Sequence, residues 1–377
     1  MTAPVLVLDA EQEALRAAVR ALLTDRAGSA AVRAAMESET GVDRDLWTRL
    51  GRDLDVLGLV VPEKLGGAGA GHVERSIVAE ELGRALAPTP FLGSAVLATD
   101  ALLALDDEAA QQDLLPRMVT GETIVALAVA EPGAPWGPGR TTATEGPDGW
   151  RLEGRKTPVV AGDLADEFLV VATAPDGPAW FRVSGADVTR SVLTTLDPTR
   201  RLAAVTLRGA KAVRLESADP RAALDRVADL AAVALGAEQL GGLAEVLETT
   251  TEYAKIRVQF GRAIGSYQAV KHGLADMYSS WEFAVSAVRY AAWAADAAPA
   301  ELGVAAGVVA SFVGPAYFAA ARDGVQFHGG IGYTWEHDAH LYYKRAMSTE
   351  LLFGPPSAAR ARLADRLGIG TSEGVGV

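Results

Sequence analysis

Arg257, Arg262, Lys271 and His272 gather around one short break in an otherwise helical stretch, Tyr253–Met277 (YAKIRVQFGRAIGSYQAVKHGLADM). Helix-forming residues run up to Arg257, a turn is expected at Gly261–Gly265, and a second helix from about Ser266. A turn with free backbone N–H groups beside fixed guanidinium groups is a natural seat for a phosphate or pyrophosphate. A plain helix–turn–helix with solvated basic residues is the alternative. The second stretch that can do chemistry is Gln326–Arg345, QFHGGIGYTWEHDAHLYYKR. There Gly329, Gly330 and Gly332 let the backbone approach a ligand closely, and the Gln326 amide can meet its polar edges. A glycine cluster after a helix is also a common structural turn.

Other chemistries find little support. The 377-residue chain has no cysteine, which removes disulfides, thiolate nucleophiles and Cys–zinc sites and suits a cytoplasmic protein. A net charge of −13 without a long basic run argues against nucleic acid and anionic membranes as partners. No serine sits in a nucleophile-elbow motif. His337 and His340 are three apart, a spacing that fits one helical face, but no third ligand motif accompanies them and no metal is expected. Gly67 and Gly69 follow an apolar run, as in a dinucleotide-binding turn. His72 stands where the third glycine belongs and Pro62 interrupts the strand, so a surface loop is the better reading.

The elements that must position these residues are legible from caps and periodicity. Asp9 caps a helix carrying Leu15, Val19, Leu22 and Leu23, and further helices are expected over about 43–54, 72–87, 91–105 and 107–120. From Thr123 to Leu215 the apolar runs become short and β-branched, separated by turns such as Pro147-Asp148-Gly149. Asp219-Pro220 then restarts helix, and long Ala-rich helices are expected over about 220–256, 266–297, 300–327 and 338–352, with a last one near 356–367. The fold class is therefore mainly α with an inserted β domain: an N-terminal helical domain (1–122), a middle β domain (123–217) and a C-terminal four-helix bundle (218–377). The N-terminus lacks a signal-peptide pattern, no run of about 18 uninterrupted apolar residues predicts a membrane span, and the tail TSEGVGV reads as disordered.

Taken together, YAKIRVQFGRAIGSYQAVKH, QFHGGIGYTWEHDAHLYYKR, VVPEKLGGAG and the EELGRALAPTPF segment resemble the acyl-CoA dehydrogenase family over nearly the whole chain. That resemblance implies FAD bound at a subunit interface, with one subunit cradling the flavin ring and its neighbour the pyrophosphate and adenosine. Arg257, Gln259, Phe260 and Gln268, with Gln326, Gly329 and Gly330, match the family positions that serve the neighbour's FAD, Phe260 packing beside the pyrophosphate contacts. The positions that hold a chain's own flavin ring have changed. The run after the first strand reads Ala130-Glu131-Pro132-Gly133-Ala134-Pro135-Trp136, without the family's threonine or its Gly-Ser-Asp, and Pro158-Val159-Val160-Ala161 replaces Trp-Ile-Thr-Asn.

Phe353 falls where the family carries its catalytic glutamate, and Ala231 where some members carry the alternative base. Phenylalanine cannot take a proton. Asp229, Glu238 and Glu350 lie near these positions but read as surface or helix-polar residues. The pattern implies a subunit that completes the site of a homologous catalytic partner, as in the α2β2 enzymes of bacterial steroid side-chain degradation, with an acyl-CoA substrate and an electron-transfer flavoprotein as acceptor. The alternatives are a self-sufficient homo-oligomer with an unusual base, or a non-catalytic scaffold.

Overall fold

The computed structural model describes residues 6–137 and 139–369; the TSEGVGV tail and the first five residues fall outside them. Six helices come first: α1 (Ala10–Arg26), α2 (Ser29–Glu37), α3 (Arg44–Arg52), α4 (His72–Arg84), α5 (Thr99–Ala104) and α6 (Glu108–Val119). Asp9 closes a capping box on α1, accepting from the N–H groups of Glu11 and Gln12, while Asp43 and Asp107 cap α3 and α6. Helix α2 is an addition to the sequence reading, and a π-helical segment, Leu92–Ala98, leads into α5.

Seven strands follow: β1 (Val125–Ala128), β2 (Thr142–Gly146), β3 (Gly149–Val160), β4 (Glu167–Ala174), β5 (Gly177–Ser184), β6 (Thr189–Val192) and β7 (Leu202–Arg214). They form one sheet in the order β1-β4-β2-β3-β7-β5, with β6 on β7; β5 also pairs β4, which closes the sheet on itself. Leu152, Phe168, Trp180 and Phe181 are fully buried; Trp180 and Phe181 are successive in β5 and face opposite sides of the sheet, the Trp180 indole N–H donating to the Pro220 carbonyl at 3.1 Å at the start of the next helical segment.

The C-terminal part comprises α7 (Pro220–Ile256), a two-stranded hairpin of β8 (Val258–Gln259) and β9 (Arg262–Ala263), α8 (Gln268–Ala297), α9 (Pro299–His328), α10 (Ala339–Leu351) and α11 (Pro356–Arg366). Asp219 caps α7 with Pro220 in its first turn. Helix α4 crosses α7 at glycines: a Cβ on Gly83 would sit 2.0 Å from the Glu238 carbonyl oxygen, and one on Gly241 1.8 Å from that of Glu80. No larger residue fits this crossing. Helices α7 and α9 are long and apolar enough to cross a membrane, which a search for uninterrupted apolar runs passes over. Both are packed within the helical bundle, with 72% and 50% of their most apolar windows buried, and the core accounts for their composition.

One buried cluster joins the β domain to the C-terminal helices. Arg345 on α10 donates to Asp197 at 2.6 Å and to Glu238 on α7 at 2.8 Å, and also to Thr199; Arg200 donates to Glu238. Asp197 in turn accepts from the Thr199 N–H at 2.9 Å, which fixes the loop between β6 and β7. Glu238 is thus no surface residue: its side chain is 12% exposed. Burial disfavours its charge, but Arg200 and Arg345 outweigh that and lower its pKa. Removing one member of such a pair leaves the other charged and dry. Arg345→Ala is therefore expected to cost about 3–5 kcal/mol, read as a lower denaturation midpoint in urea. An unchanged midpoint would show that the seam does not depend on this cluster.

Candidate functional site

A cavity of about 710 Å³ opens where the end of β1, the Thr157-Pro158 stretch of β3, the loop before β7, the end of α10 and the start of α11 meet. Its lining is mostly apolar, with Pro132, Pro135, Pro158, Leu202 and Leu352 among the walls. Two carboxylates line it, and both are already engaged. Asp197 is held by Arg345, as above. Glu131 accepts from Lys156 Nζ at 2.7 Å, from the Thr141 hydroxyl at 2.6 Å and from the Arg140 N–H at 2.6 Å. Burial works against its charge, but these donors prevail and bring its pKa down to about 2.

At Phe353, which the resemblance sets at the family's base position, the structure places an aromatic pair. The Phe353 and Trp136 rings meet at 5.3 Å between centroids, tilted by 52°. Ala231, the alternative position, is fully buried in α7. Asp229 is paired with Arg366 at 2.8 Å. Glu350 does not line the cavity, although Ser348, Thr349 and Leu351 around it do; burial raises its pKa. No carboxylate among the described residues both faces this cavity and is free to take a proton.

The second set of residues sits at one end of the bundle. Helix α7 ends there, and α8 and α9 meet there through Gly273, where a Cβ would press on the Phe327 ring at 2.5 Å. The Tyr253 ring stacks on His328 at 4.5 Å, and its hydroxyl donates to the His328 carbonyl at 3.3 Å. That contact fixes the segment leading to Arg257 against the one leading to Gly329. Arg257, Gln259, Phe260, Gln268, Gln326, Gly329 and Gly330 are all exposed. Among the described residues Arg257 makes no side-chain ion pair or hydrogen bond, whereas Gln259 turns its amide to the Val258 carbonyl. Gly329 has φ +66, and nothing in the chain lies within 4 Å of a Cβ built on it or on Gly330. The glycines are not crowded by their own chain; the space above them is open.

Two sequence expectations change here. The turn at Gly261–Gly265 is a β-hairpin whose two-residue tip, Phe260-Gly261, has φ +51 and +80, the signs of a type I′ turn. Phe260 does not pack beside the other contacts: it is 94% exposed at that tip, because no part of its own chain reaches it. Gly261 suits such a tip, but Phe260 stands where Asn, Asp or Gly is usual, so the local sequence carries only half of the hairpin signal. His337 and His340 serve stacking, His337 against His328 at 4.4 Å and His340 edge-on to Trp335 at 4.8 Å. Among the described residues no three His, Asp or Glu side chains cluster as a metal site.

Residues 9–122 match the profile of the acyl-CoA dehydrogenase N-terminal domain, and residues 222–368 that of the C-terminal domain. The chain belongs to the acyl-CoA dehydrogenase family. Members of this family are oxidoreductases acting on CH–CH bonds. Acyl-CoA dehydrogenase IpdE2 of Mycobacterium tuberculosis is 40% identical over 353 residues, covering 94% of this chain and 96% of that protein. The solved ChsE4–ChsE5 complex from Mycobacterium tuberculosis contains a chain 31% identical with a TM-score of 0.88, over 97% of this chain and 99% of that one. A chain of a solved variant of the Tcur3481–Tcur3483 steroid ACAD is 32% identical with a TM-score of 0.86, over 96% and 99%. Both structures are described as pairs of subunits.

The Glu131–Lys156 pair carries a pH consequence. Glu131 is lowered from 4.5 to about 2, so its anion contributes stability that is fully present above pH 4.5 and is lost as the pH falls toward 2. Lys156 runs the other way, burial lowering its pKa despite Glu131, so the pair as a whole is worth less than the Glu131 shift alone implies. Glu131→Gln is expected to lower the thermal midpoint at pH 7, with the gap to the parent chain closing as the pH approaches 2. A gap independent of pH would show that Glu131 is not held as an anion.

Proposed function

We infer that this chain is the supporting subunit of a heteromeric, flavin-dependent acyl-CoA dehydrogenase and lends the pyrophosphate–adenosine side of an FAD site to a homologous catalytic partner. The observation that carries this reading is a division within the chain. The open Arg257 guanidinium and the uncrowded Gly329-Gly330 backbone suit a diphosphate arriving from outside. The chain's own flavin-ring positions do not suit the ring, because Ala130, Pro158 and Val160 offer no hydroxyl donors, and the base position holds Phe353 against Trp136.

Bound FAD would supply the hydride acceptor for the β carbon of an acyl-CoA thioester while a carboxylate takes the α proton. This chain's part is to fix the diphosphate through Arg257, to let backbone approach at Gly329 and Gly330, and to offer the Gln326 and Gln268 amides to polar edges. The partner carries the base. The likeness to the two-subunit structures supports a homologous partner in an α2β2 assembly, and the one described as a steroid ACAD supports a steroid-derived acyl-CoA as substrate class. Electrons pass on to an electron-transfer flavoprotein in the cytoplasm, a reading supported by the family resemblance.

The chain expressed alone is expected to purify with little FAD, and with its partner at about one FAD per heterodimer, measured by absorbance against protein mass. Full loading of a pure homo-oligomer would overturn the reading. In the complex, Arg257→Ala should weaken FAD about ten- to hundredfold, from loss of a charge-assisted contact worth about 1.5–3 kcal/mol, while the subunit stays folded. Unchanged affinity would remove Arg257 from the site. Asp229→Asn and Glu350→Gln should leave turnover of the complex within a few-fold, since a true base contributes about 10²–10⁴ in rate. Loss of α-proton exchange with flavin still bound would give this chain a base of its own.

A further inference from the structure

We propose that the 710 Å³ cavity of this chain is a binding site for a neutral, largely apolar small molecule with one or two hydroxyl or ketone oxygens, separate from the FAD site shared with the partner. The inference rests on the reading that this cavity no longer receives a flavin ring.

Three observations point to that ligand class. The volume falls in the range of about 300–1,000 Å³ typical of small-molecule sites, so the space is too large to be a packing defect. Its ionised groups are internally neutralised: Glu131 by Lys156, Asp197 by Arg345, and Arg200 by Glu238. Among the described residues an entering anion would meet no free cation, and an entering cation no free carboxylate, so charged ligands gain nothing for the cost of leaving water. Finally, Leu196 and Leu351 line the cavity and are 48% and 54% exposed, which makes its approach apolar as well.

The polar handles that remain are few: the buried Arg200 Nε, which has no hydrogen-bond partner among the described residues although the guanidinium is paired with Glu238, and two neutral hydroxyls. Thr157 and Ser348 line the cavity, and among the described residues their hydroxyls have no hydrogen-bond partner. Each can donate to a ketone or accept from a hydroxyl. Pro135 and Gly354, each next in sequence to a member of the Trp136–Phe353 pair, both line the cavity, and a Cβ built on Gly354 would lie 3.6 Å from Pro135, so the wall there is apolar. No lining group among the described residues can do proton chemistry on what the cavity holds, and its role is retention rather than turnover.

The test is calorimetric titration of the full chain with androst-4-ene-3,17-dione, a neutral tetracyclic diketone, beside oleate as an anionic probe and FAD itself. One diketone site per chain with micromolar affinity is expected, and oleate at least tenfold weaker. Ala358→Trp, an exposed change on α11 that fills the cavity from its rim, should abolish binding, and Ser348→Ala should weaken it about two- to tenfold. Diketone binding that survives Ala358→Trp, or oleate binding as tightly as the diketone, would overturn the proposal. Absence of diketone binding would also overturn it and leave the shared FAD site standing. Stoichiometric FAD binding to the lone chain, competed by the diketone, would overturn both readings at once.

Discussion

Arg345 is the residue on which the arrangement of the molecule depends. Its guanidinium holds Asp197 and Thr199 from the β domain and Glu238 from the central helix, and Arg200 completes the cluster through Glu238. A buried guanidinium must spend its donors on fixed acceptors, and its planar fork leaves little angular freedom. The loop that ends at β7 is therefore pinned to the bundle, and with it one wall of the cavity. The glycine crossing of α4 on α7 has the same effect from the other side, since Glu238 lies at that crossing. The walls of the cavity are set by charges that are no longer available to it.

Much of the fold was legible because its helix starts are written in local chemistry. Asp9, Asp43, Asp107 and Asp219 each accept a hydrogen bond from the first turn of the helix they precede. The change from helical periodicity to short β-branched runs marks the sheet in the same way. The Arg345 cluster was not legible, because its partners lie 107 and 148 residues away and nothing local marks them. For the same reason Glu238 reads as a helix-surface residue until α10 and the β domain are packed against it. The hairpin at Phe260-Gly261 escaped because two-residue strands are too short to show alternation.

The candidate sites were legible to different degrees. The glycines and Arg257 stand out by type, and the structure brings their segments to one end of the bundle through a contact that the sequence hides, the stacking of Tyr253 on His328. The altered ring and base positions were visible only as substitutions. What the sequence could not show is how the cavity's surroundings pack: Trp136 meets Phe353 ring to ring, and the two lining carboxylates, Glu131 and Asp197, are held as structural anions.

The hairpin tip also bears on how such a chain survives in a cell. Phe260 stands clear of its own chain, Ile256 and Val258 beside it are 74% and 56% exposed, and Tyr333 and Trp335 at the same end of the bundle are 80% and 66% exposed. Water is a poor neighbour for so many large side chains at one end of a molecule. A copy whose patch stays uncovered is an aggregation hazard and a target for chaperones and proteases, so covering these residues becomes part of the protein's stability.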